Sequence, residues 1–179
     1  MKKFALLIAF AMALAAISSQ AQNKKPTDLR GVLLEQLRTS HSAEDWYVPA
    51  NIAVANLTAD QAKWTPGKDV HSVGQLTNHL LFWNTHELAE FKGEKAPAFS
   101  GNNDETFNNF NAAQWAETVQ KLDAVMTEWE KAVEAADDQK LAANASLIAH
   151  VGAHNAYHIG QIILVRKLQG SWDPSKGVK

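Results

Sequence analysis

Three histidines spaced four residues apart, His150, His154 and His158, stand in the stretch AHVGAHNAYHIGQ of a 179-residue chain. A neutral imidazole can offer its lone pair to a divalent metal or carry a proton near neutral pH. Side chains four apart on a helix have Cβ atoms about 5–6 Å apart, so two such rings can converge on one ion. Eight residues span about 12 Å of helix, so His150 and His158 cannot share one. The usable pair is His150/His154 or His154/His158. A third histidine is available from HSVGQLTNHLLFWNTHELAEF, where Leu76, His79, Trp83 and His86 share one helical face. His86 lies two turns beyond His79, about 10 Å along the axis, and cannot join the same ion.

The second observation is where these rings fall. Leu147, Val151, His154, His158, Gln161, Val165 and Leu168 follow one another in steps of four and three, the spacing of a core-facing stripe. Two histidines and a glutamine thus replace apolar residues in the middle of a seam. Burying an unpaired polar group costs about 1–3 kcal/mol. Three such rings at one level would take much of a typical stability of about 5–15 kcal/mol. A divalent metal satisfies them, each ring giving its second N–H to an outer acceptor. Three histidines leave at least one coordination position open, as catalytic sites do. All-nitrogen ligation suits zinc, nickel, copper or iron rather than calcium or magnesium, with zinc or nickel the expected ion.

Other residues receive weaker readings. His150, one turn before the pair, is a candidate catalytic base, with a polar residue at the bundle mouth as the plainer alternative. Gln161 is placed to contact either a ligand or a neighbouring helix. Trp83, Trp115 and Trp129 are at core spacing. Asn155 and Tyr157 read as packing or hydrogen-bonding residues, and His41, His71 and His86 as loop, helix-end or surface residues. No Ser–His–Asp arrangement, phosphate-binding glycine loop or Glu-x-x-His di-iron pattern is present.

The elements that must carry these residues are helices. A first is expected from Thr27 or Asp28 through Leu29, Val32, Leu33 and Leu37, with a helical piece after Pro49 that ends near Leu57. Ser72 and Gln75 form a capping box for a helix that runs to about Phe91. Residues 92–110, rich in Gly, Asn and Pro, read as one long loop. Asn111 with Gln114 suggests another box, opening a helix whose seam is Trp115, Val119, Leu122, Met126, Trp129 and Val133. The last helix is expected from Asn144–Ser146 to Gly170, a suitable C′ glycine. Strand patterns are nearly absent, so the expected fold class is all-α, a four-helix bundle.

The chain begins with Lys2 and Lys3, an apolar run from Phe4 to Ile17, and Ser19-Gln20-Ala21. This is the pattern of a cleavable secretory signal peptide over residues 1–21, too short in its apolar part for a spanning helix of about 20 residues. The expected location is periplasmic or secreted, in a bacterium, with residues 22–179 forming a single domain and no membrane association after cleavage. Without Lys2 and Lys3 the balance is 15 basic against 19 acidic residues, a net −4. With no basic run, nucleic acid is not an expected partner. The absence of cysteine excludes disulfides, thiolate ligands and a cysteine nucleophile. A homodimer through an exposed helix face would suit the expected fold.

WTPGKDVHSVGQLTNHLLFWN, followed about seventy residues later by HNAYHIGQIILVRKLQGSW, resembles the DinB-like branch of the DinB/YfiT-like superfamily over roughly residues 28–172. The resemblance implies a four-helix bundle that binds a divalent metal through three histidines. Carried onto this sequence, these are His79, His154 and His158, which selects the second of the two pairs. It also implies a choice among metal-dependent hydrolases, thiol-dependent transferases or isomerases, and members with no assigned reaction. For an exported chain the expected activity is hydrolysis of an unknown small molecule through metal-activated water. The alternatives are a thiol-dependent S-transferase and a non-catalytic metal-binding or stress-related bundle.

Overall fold

A computed structural model describes residues 26–177; the expected signal peptide lies outside them. Among the described residues seven α-helices follow in order: α1 (Leu29–His41), α2 (Ala50–Ala53), α3 (Ala59–Lys63), α4 (Val73–Lys92), α5 (Asp104–Asn108), α6 (Trp115–Ala135) and α7 (Asp138–Gln169). There is no strand among the described residues, and none of their helices is long and apolar enough to cross a membrane. The long helices α1 and α4 each pack against both α6 and α7. The result is an all-α ring of four long helices.

Local chemistry sets the ends of these helices. Asp28 accepts from the Gly31 N–H at α1. Ser72 and Gln75 form the expected reciprocal box at α4, which stops at Gly93 with φ 75°. A second box, Thr58 with Gln61, opens α3, a helix absent from the sequence reading. Asn111 accepts from the Ala113 N–H and starts only a 3-10 turn, with no box to Gln114, so α6 begins at Trp115. The last helix starts earlier than expected, at Asp138, because Asp137 accepts from the Lys140 N–H and Leu141 is already buried. Asn144, expected near that start, bonds back to the Lys140 carbonyl inside the helix. The expected 92–110 loop contains α5.

The core holds the α6 seam as expected: Trp115, Leu122, Met126, Trp129 and Val133 are buried, with Val119 packed beside them. The outer ends of two other stripes are corrected. Leu29, Val32 and Leu168 are 45%, 47% and 59% exposed, because their helices present those positions to solvent rather than to a neighbour.

One device fixes α4 against α7, the pair that carries the histidines, and a second fixes the segment after α5 against α4. Asn84 and Asn155, both buried, exchange amide hydrogen bonds of 2.7 and 3.2 Å. The Asn84 carbonyl in turn accepts from Trp129 Nε1 at 3.0 Å, tying in α6. The segment after α5 is locked onto the start of α4, where the Phe110 ring fills the space beside Gly74 so tightly that a Cβ there would lie 2.2 Å from it. That contact holds α5 in place over the middle of α4.

Candidate metal centre

His79 comes from the second turn of α4, and His154 and His158 from successive turns of α7. The ring centroids lie 5.0 Å apart for His79–His154, 4.5 Å for His79–His158 and 4.6 Å for His154–His158. One ligand atom from each falls within 4.8 Å of the others. The Nε2 atoms of His79 and His154 are 3.0 Å apart. A tetrahedral ion with Zn–N distances of about 2.0–2.1 Å separates its nitrogens by about 3.3 Å. The donor spacing therefore fits a small divalent ion with little movement.

The outer nitrogens decide which way the lone pairs point. His158 Nδ1 donates to Gln161 Oε1 at 2.6 Å, an amide whose Nε2 donates to the Tyr157 hydroxyl. His79 Nδ1 donates to Thr106 Oγ1 at 2.6 Å, and the Thr106 hydroxyl donates onward to the Asn103 carbonyl. With the proton on Nδ1, each ring presents its Nε2 lone pair to the centre, the arrangement that outer-shell partners impose on metal ligands. His79 is also clamped by stacking: Phe107 lies 3.9 Å from its ring and 4.0 Å from that of His71 on the other side.

Electrostatics keeps the donors neutral. Burial, reinforced by His158, His154 and His71, holds His79 down to about 3. Burial and His158 hold His154 down to about 4. His158 is also lowered, by burial, although its Gln161 bond pulls the other way. Neutral imidazole is the form that binds metal.

The three rings form one end of a cavity of about 610 Å³, which His150 and Glu87 also line. His150 is exposed there, at the rim. Trp83, read from its spacing as core, instead lines this cavity and is half-buried, with its Nε1 donating to Asn103 Oδ1. Tyr157, read as a packing or hydrogen-bonding residue, does accept a hydrogen bond from Gln161, and it also lines the cavity, 64% exposed, with its ring edge-on to His158. Gln161 contacts a histidine of the cluster. His86 stays out of the cluster, in contact with Phe82 and Trp83. His41 is buried between Glu130 and Asp123, at 2.6 and 2.9 Å, on a different face of the bundle.

A family model described as the DinB superfamily matches residues 50–162. The chain belongs to the DinB superfamily. No curated protein and no solved structure matches it. The matched segment of this DinB-superfamily protein runs from α2 into α7 and contains all three histidines of the cluster.

Sequence reasoning missed Thr106, Phe107, Asn103 and Glu87. Only Glu87 had a signal, because it continues the His79–Trp83 face by one more step of four. Thr106→Val removes the acceptor for His79 Nδ1 and frees that ring to change tautomer. Zinc affinity, measured by competition with a chelating dye, is expected to fall about 10–100-fold; an unchanged affinity would remove Thr106 from the site.

Proposed function

We propose that this protein is an exported, metal-dependent hydrolase of a small molecule. His79, His154 and His158 would hold a divalent transition metal, with zinc or nickel preferred for an all-nitrogen set. When bound, such an ion supplies Lewis acidity, lowering the pKa of water and polarising a carbonyl or phosphoryl oxygen. The observation that carries the reading is the position of the donors: they converge at the end of a cavity large enough for a small ligand, not inside a closed structural site.

The chain's own groups divide the remaining work. Gln161 and Thr106 hold two rings by their Nδ1 atoms. His150, at the rim of the same cavity, is placed to accept a proton from water and return it to a leaving group. Export rests on the N-terminal 21 residues, whose pattern is that of a signal peptide.

The test is a panel of esters, amides and phosphoesters, assayed with and without chelator. Activity should vanish with chelator and return with zinc or nickel, and His150→Gln should lower kcat about 10²–10⁴-fold. A panel without chelator-sensitive turnover would leave a metal-binding bundle that does no chemistry.

A further inference from the structure

Glu87 stands eight residues after His79 on α4, about 12 Å along the helix, and lines the same cavity. His86 Nδ1 lies 3.4 Å from its carboxylate. That nitrogen is buried without a hydrogen-bond partner, so the contact is one of proximity only. Among the residues that line the cavity there is one carboxylate and no lysine or arginine. The walls that Glu87 and the three histidines share include Trp83, Phe107, Leu147, Val151 and Tyr157.

An apolar slot lined by one carboxylate and by no lysine or arginine is selective by charge. A bound anion would meet Glu87 with nothing to neutralise either group. An ammonium group can pair with Glu87 and can lie over an aromatic ring, which is attractive to cations. A neutral apolar body fills the space between. We infer that the substrate is a small amphiphilic cation: an aryl or alkyl body with an ammonium group held by Glu87 and a hydrolysable carbonyl group at the histidine end. This rests on the hydrolytic reading of the site and adds to it the substrate class, with Glu87 as the specificity-determining residue. Phosphoesters and carboxylates, which carry negative charge, are disfavoured by the same carboxylate.

The test is calorimetric titration of zinc-loaded and metal-free protein with phenylbutylamine, phenylbutanol and phenylbutyrate, three compounds of one skeleton and different charge. The metal-free titration isolates the cavity, because a carboxylate can ligate an ion directly. The amine should bind metal-free protein about five- to twentyfold more tightly than the alcohol, with the carboxylate weaker still. Glu87→Gln should bring the amine to the level of the alcohol, and Glu87→Lys should reverse the order of amine and carboxylate. The inference is overturned if the carboxylate binds metal-free wild type as tightly as the amine, if Glu87→Gln keeps the preference, or if none of the three binds. The two readings fail separately. Loss of the hydrolase reading would show as no chelator-sensitive turnover with the charge order intact, and loss of this one as a flat charge order with turnover intact.

Discussion

His158→Ala is expected to reduce bound zinc from about one equivalent per chain to nearly none after dialysis, because each ligand of a zinc site carries a large share of its affinity. A four-ligand structural site binds with about 10–16 kcal/mol, or about 2.5–4 kcal/mol per protein ligand. Removing one of three histidines should then weaken binding by two to three orders of magnitude, about 10²–10³-fold. His158 is the ring whose outer nitrogen is anchored by Gln161, so its loss also releases that amide. The same result is expected for His79→Ala. His150→Ala, which removes a rim residue outside the cluster, should keep its zinc and lose turnover. Metal analysis of the three variants beside wild type checks this, and equal stoichiometry in wild type and His158→Ala would sink the three-histidine site.

The contrast between His158 and His150 also shows what could be read from the sequence. Helical spacing alone separates residues that face the core from those that do not. It placed His154, His158 and Gln161 on the inner seam of α7, and left His150 at the edge. Spacing could not distinguish a core wall from a cavity wall. Trp83 and Trp129 both stand at core spacing, yet Trp129 is fully buried while Trp83 borders the cavity. The difference depends on what lies across the bundle, which a one-dimensional period does not encode.

The outer supports were hidden for a different reason. The segment NNDETFNN has the composition of a loop, and a five-residue helix is not stable on its own in water. Here α5 exists because Phe107 is packed between His71 and His79 and Thr106 bonds His79. Both are long-range contacts. His41 is a similar case: its partners Asp123 and Glu130 sit on α6, more than eighty residues along the chain. The signals that were legible are those carried by neighbours one helical turn away, as with the box at Ser72 and Gln75.

Metal-free protein is expected to lose stability steeply as pH falls from 6.5 to 4.5, through the histidines themselves. His79 and His154 titrate near 6.5 in the unfolded chain but are held down to about 3 and about 4 in the fold. The unfolded state therefore binds more protons throughout this window, and by linkage stability must fall as pH falls. The contribution is fully present above pH 6.5. Below it, each histidine removes about 1.4 kcal/mol per pH unit until its own folded value is approached. By pH 4.5 the two together amount to roughly 5 kcal/mol, comparable with the whole stability of a marginal domain. Most of the window lies above the ordinary carboxylate values of about 3.9–4.3, so acidic groups enter only at its lower end. Urea unfolding at intervals of one pH unit should show a midpoint that drops sharply in wild type and much less in His79→Gln/His154→Gln, which cannot take up these protons. Zinc should also protect, since an ion on the three rings competes with protons for the same lone pairs. A double variant that loses stability as steeply as wild type would assign the acid sensitivity to other groups, and with it would go the claim that these rings are held neutral by the fold.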